Sequence, residues 1–121
     1  MEATNTREVP REEWAAFLAH VEAMQRDRPV QVELLGPELG NQTLAHDLRL
    51  RGISVTEKGS AAGSIELDLG KTDGGLDHRV LPPTHLYAIE ASAGRIECLD
   101  IEDERHRKTL VRFKEPLSLP M

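Results

Sequence analysis

Aromatic side chains are scarce in this 121-residue chain: one tryptophan, one tyrosine and two phenylalanines, 3% of the whole. A core must therefore be aliphatic, and the 39% apolar content argues against disorder over most of the length. The single cysteine, Cys98, excludes an intramolecular disulfide, and a reducing compartment is the simplest expectation. No apolar run approaches the roughly 20 residues of a membrane span, and the opening MEATNTREVPREEW lacks the apolar stretch of a signal peptide. A cytoplasmic protein with no membrane partner is expected. Basic charge is in deficit too. Fifteen Lys and Arg against 21 Asp and Glu leave a net charge of -6, the opposite of the balance usual in binders of the phosphate backbone. A chain of this size buries roughly two-thirds of its unfolded surface, so it needs neither a disulfide nor a metal to fold.

What is present reads as one helix followed by strands. Pro10 suits a first helical turn, where its missing N–H costs nothing. Glu12 and Glu13 near the start, and Arg26 and Arg28 near the end, complement the helix dipole. Trp14, Phe17, Leu18, Val21 and Met24 recur at spacings of three and four and form one apolar stripe. Pro29 ends the pattern, which predicts a helix over 11–27 with a buried Trp14. Period-two alternation follows at 30–35 and again through Leu44, His46, Leu48 and Leu50. At Gly52 the apolar parity switches to Ile53 and Val55, as at a bulge in one long strand. Ile65, Leu67 and Leu69 make the next strand, with Glu66 and Asp68 outward, and 78–81 pairs back across a turn at Thr72–Gly75. Pro82 and Pro83 break the ladder or mark an edge, before strands at 86–91, 95–103 and 108–113.

The expected fold is α+β: one amphipathic helix, then about seven mostly antiparallel strands in a strongly bent sheet or small, partly open barrel. No second helix is available for a parallel crossover. Residues 1–8 are expected to be loose, 9–115 to form a single domain, and 116–121 to be a loose tail.

Several segments resemble a family of small bacterial proteins catalogued only as a domain of unknown function. These are Val9-Pro10-Arg11-Glu12-Glu13-Trp14-Ala15-Ala16-Phe17, Val32-Glu33-Leu34-Leu35-Gly36-Pro37, Asp77-His78-Arg79-Val80 with Pro83 after it, and Leu99-Asp100-Ile101-Glu102 leading to Thr109-Leu110-Val111-Arg112-Phe113. Their order over about residues 9–113 carries the resemblance. A short Asp-Gly type turn is usual in the family's last hairpin, whereas here the charged stretch Glu102–Lys108 stands in its place. The resemblance implies a bacterial source and transfers no activity, cofactor or site residue.

Candidate chemistry is sparse. Asp77, His78 and His85, with His46, could form a metal or acid–base site, because neutral imidazole ligates metals and a carboxylate can ligate or orient. Metal-ligand spacings are absent, and histidines bonding locally at strand edges are the competing expectation. Cys98 lies beside Glu97 and Asp100, which discourage a thiolate, so a core thiol is expected. The scattered glycines match no phosphate loop. Arg105, His106, Arg107 and Lys108 directly follow four acidic residues and read as a self-compensating hairpin tip. Together with Arg49 and Arg51 they form the alternative of a nucleic-acid module of small-barrel type, for which aromatic platforms are lacking. No catalytic residue, metal or cofactor is assigned. The expectation is a non-catalytic binding or interaction module.

One conflict of parity remains. Thr109, Val111 and Phe113 share one face and Leu110 the other, while Ile96 and Cys98 oppose Leu99 and Ile101. A half-buried strand needs one apolar face. Either a bulge near Cys98 re-aims the strand, or a second copy of the chain covers the hairpin at 95–113 as a homo-oligomer.

Overall fold

The computed structural model describes residues 4–38, 40–56, 63–71, 74–80, 82–91 and 95–114. The turns expected at 58–63 and 72–75 lie largely or partly outside the described residues. Those expected at 92–94 and the tail at 116–121 lie wholly outside them. Strand β1 (Thr4–Glu8) leads to a single 3-10 turn (Arg11–Glu13) and helix α1 (Trp14–Gln25). Seven strands follow: β2 (Pro29–Gly36), β3 (Gly40–Val55), β4 (Ile65–Lys71), β5 (Gly74–Val80), β6 (Pro83–Ala91), β7 (Ile96–Asp103) and β8 (Lys108–Phe113). They form one antiparallel sheet in the order β1-β6-β7-β8-β2-β3-β4-β5.

The connectivity forces this sheet to curl. Strands β5 and β6 stand six places apart in the order, roughly 29 Å on a flat sheet. Yet Val80 ends one and Pro83 begins the other, a span of at most about 11 Å. The sheet therefore rolls until β5 approaches β7 and β8, where His78 Nε2 lies 3.3 Å from Thr109 Oγ1. Among the described residues no ladder joins the two edges, and the sheet is the expected strongly bent, open one.

Three expectations need correcting. Residues 4–8 are not loose: they pair with β6 from Thr4↔Ala91 to Glu8↔Tyr87. A polar segment can be a strand when its backbone completes a ladder, whatever its side chains. The α-helix ends at Gln25, and Asp27 takes a left-handed conformation (φ 67°) that starts the turn into β2. In the apolar stripe, Trp14, Leu18 and Val21 are buried as expected, but Met24 is 55% exposed and Gln25 is buried in its place. The buried Trp14 ring donates from Nε1 to the Val9 carbonyl at 2.9 Å.

The helix also covers an edge. Strand β3 outruns β2, whose last partner is Arg49. Beyond it, Asp27 N donates to Leu50 O, Leu50 N to Arg28 O, and Ile53 N to Glu22 Oε1 at 3.0 Å. The chain leaving the helix thus satisfies backbone groups that would otherwise face water unpaired.

Bulges set which residues face the core. The predicted one at Gly52 is present: the pairing jumps from Leu50↔Leu69 to Gly52↔Asp68, leaving Arg51 as the extra residue. A second irregularity surrounds Asp47 (φ 63°), so Ala45 is buried and His46 exposed, reversing the alternation expected there. A third lies in β7 next to Cys98, where a bulge was one of the two accounts of the parity conflict. Ile89 pairs with Cys98 but Glu90 with Ile96, which makes Glu97 the extra residue of β7. Beyond it Ala88, Leu99, Val111, Val32 and Ala45 align in one buried cross-strand row. Leu110 lies in the outer row with Tyr87, Asp100 and Glu33, and is itself buried. Lys108 and Arg112 flank it on the same face of its strand, where long side-chain stems can cover an apolar neighbour.

Candidate functional site

The four residues singled out in the sequence do not meet. Asp77 and His78 are neighbours on β5, and successive strand residues point to opposite faces. Asp77 faces outward, opposite Asp68. His78 faces inward across the seam of the curled sheet, against Thr109. Burial and the Arg107 guanidinium both hold the His78 imidazole below its ordinary pKa, so the neutral ring is favoured. His85 lies at the other end of the sheet order, its Nδ1 2.8 Å from Glu8 Oε2 and its ring stacked on Tyr87 at 5.8 Å. His46 is exposed beside Asp47 at 3.4 Å. Among the described residues no group of three or more His, Cys, Asp and Glu is placed to hold a metal ion.

The basic residues are likewise divided. Arg49 Nη1 donates to Asp27 O, at the Pro29 end of β2. Residues 105–108 belong to the opposite end, where Lys108 pairs with Leu35. About six residues of strand, roughly 20 Å, separate them. The hairpin tip is also more than a solvated loop. Buried Asp103 accepts from the backbone N–H groups of Arg105 and Arg107 at 2.9 and 3.0 Å and from Arg107 Nε at 2.9 Å. That arrangement lets His106 adopt φ 62° and organises the tip around one carboxylate. Cys98 is buried, and desolvation pushes its thiol up to about 11, as expected of a core thiol rather than a nucleophile.

A concavity with five ionisable side chains in its lining lies on the outer face of β3, β4 and β5. Its volume is about 580 Å³. Two cross-strand rows shape it, Gly52–Asp68–Asp77 and Ser54–Glu66–Arg79. Gly52 contributes no side chain, and a Cβ there would meet Glu22 Oε1 at 3.1 Å. Arg51, displaced by the bulge, lies across Gly70, where a side chain would collide with it. Glu66 and Arg79 form an ion pair. Asp68 and Asp77 stand directly opposite each other without such a partner between them. Partial desolvation first, then the charge and hydrogen bonding of Asp77, raise the pKa of the exposed Asp68, while Arg51 opposes the shift.

Asp68 was overlooked in the sequence as the partner of Asp77, although a signal existed. The ladder pairs Lys71 with Gly74. Pairing about 72–73 sets Asp68 against Asp77 and Glu66 against Arg79. Treating all of Thr72–Gly75 as turn hides that symmetry.

No solved structure matches the chain. A protein of Aquifex aeolicus (strain VF5), described as an uncharacterized protein, is 24% identical over 115 residues, 95% of this chain and 97% of that one. The model of a family of unknown function, DUF5335, matches residues 5–121, extending at both ends the stretch over which the sequence resemblance was traced. That match covers nearly the whole chain, and the protein therefore belongs to the DUF5335 family of unknown function.

Proposed function

We propose that this protein is a non-catalytic binding module of the bacterial cytosol whose ligand-facing site is the groove on β3–β5. The observation that carries the proposal is the Asp68–Asp77 pair. Two carboxyls face each other across adjacent strands, beside a position without a side chain; Arg79 is already paired with Glu66, and the charge of Arg51 offsets only part of the shift at Asp68. Like charges in such register are destabilising on their own. An incoming guanidinium or ammonium would relieve the repulsion and favour the ionised form of Asp68. The groove is open and its carboxylates exposed, which suits reversible capture of a cationic side chain.

Amide NMR titration with a tetra-arginine peptide at pH 7 tests this. Saturable shifts at Gly52, Ser54, Asp68 and Asp77, weakened in Asp77→Asn, are expected. Shifts confined to other strands, or equal affinity in Asp77→Asn, would refute it. A second reading, an acid–base site, is favoured by the raised Asp68 carboxyl alone. It requires that Asp68→Asn abolish a turnover that cationic peptides do not inhibit.

A further inference from the structure

A second concavity, of about 510 Å³, lies on the β7–β8 side of the sheet. That volume is within the usual range for small-molecule sites. Its character is the reverse of the β3–β5 groove. Three guanidiniums line it, from Arg28, Arg95 and Arg112, above a floor that includes Ile89, Cys98 and Phe113.

Two of the arginines have carboxylate neighbours. Arg112 Nε is 2.8 Å from Glu33 Oε1, and an Arg95 nitrogen is 3.7 Å from Glu97 Oε1. Arg28 forms no ion pair among the described residues, and its backbone N–H is fixed on the Gln25 carbonyl. The lining itself holds three arginines and one carboxylate, Glu97, on a chain whose net charge is -6. The floor reinforces the contrast. Cys98 is buried and its thiol stays protonated, so it presents a small apolar surface. Ile89 and Phe113 are half-buried and have apolar area left to cover. The Glu97 bulge makes this possible, because it turns β7 so that Cys98 is in line with Ile89 and Arg112 while Leu99 enters the core.

We infer that this cleft binds a small organic anion with an apolar body, its head group on Arg28 and its body over Ile89, Cys98 and Phe113. Charge complementarity selects the head, since a guanidinium donates parallel hydrogen bonds to a carboxylate. The apolar floor rejects a bare inorganic anion, which would lose hydration without covering that surface. The site is separate from the β3–β5 groove and stands whether or not that groove takes cations.

Amide NMR titration of the full chain with sodium octanoate, 1-octanol and sodium acetate tests it. Octanoate should saturate at one equivalent, with shifts centred on residues 96–98 and 112–113. Octanol and acetate should each bind about tenfold more weakly or less, the usual cost of losing a charge-assisted hydrogen bond or the apolar burial. Arg28→Gln, on a half-buried side chain outside the core, should weaken octanoate by a similar factor and leave octanol unchanged. Octanol binding as well as octanoate would overturn the inference, as would acetate binding as well, saturating shifts elsewhere, no saturation, or an unaltered affinity in a folded Arg28→Gln protein.

Discussion

The two flanks of the curled sheet use charge in opposite ways. On β6, β7, β8 and β2 opposite signs meet: Glu33 with Arg112, Asp100 with Lys108, Asp103 with Arg107. On that flank Leu110 and Cys98 are buried although they lie on the outer face. On β3, β4 and β5 the outer face also pairs Glu66 with Arg79, but it sets Asp68 against Asp77 beside Gly52. Charge on the first flank borders a second apolar layer, whereas on the other it is left turned to solvent. A residue's sign therefore says less about its role than what it stands opposite in the register.

The largest test concerns what the flanks share. Trp14 is buried in the common core, and Trp14→Ala should cost about 3–5 kcal/mol. Urea unfolding followed by amide exchange should lose both flanks together; loss of β3–β5 alone would make them separate units. Next comes Asp103→Ala, which leaves two backbone donors and Arg107 without their acceptor and should cost about 2–3 kcal/mol. Its effect should be confined to β7, β8 and the His78 seam. Smaller still are two opposed substitutions. Asp77→Asn should raise the melting temperature by removing the repulsion at Asp68, whereas Glu33→Gln should lower it by releasing Arg112. Equal signs would erase the contrast between the flanks.

The pH dependence sharpens it further. The His78 pKa lies below its ordinary 6.5, so the unfolded chain takes up that proton first. The stability this contributes is present above pH 6.5 and is lost as pH falls from there toward the folded-state pKa. Asp68 and Asp100 are raised above 3.8, mainly by desolvation, so folded protein takes up their protons first. Their cost is felt at neutral pH and relieved as pH drops through the folded-state values. Melting temperature should therefore dip below pH 6.5, and His78→Gln should remove the dip. The smallest expected effect is chemical: native Cys98, with its thiol near 11, should resist a disulfide reagent until the protein is unfolded.

Much of the fold was legible because the apolar pattern is regular. The helix, the strand at 30–35, the Gly52 bulge and the inward Ile65, Leu67 and Leu69 all follow from local periodicity. Strand β1 was not legible, since Thr4–Glu8 holds its place through backbone pairing with β6. Nor could the candidate site be read: Asp77, His78 and His85 look adjacent in the chain, but the pleat separates the first two, and His85 engages Glu8 and Tyr87 instead.

The sequence by itself determined the aliphatic core, the single helix and the antiparallel character, because these depend on side-chain spacing along one segment. The tertiary structure alone decided that Asp68 meets Asp77, that His78 meets Thr109 and that Arg28 joins Arg95 and Arg112. Those meetings depend on inter-strand register, on bulges at Arg51, Asp47 and Glu97, and on the curl imposed by a two-residue link. A shift of one residue in any ladder exchanges its faces, and no local pattern in the chain specifies such a shift between distant strands.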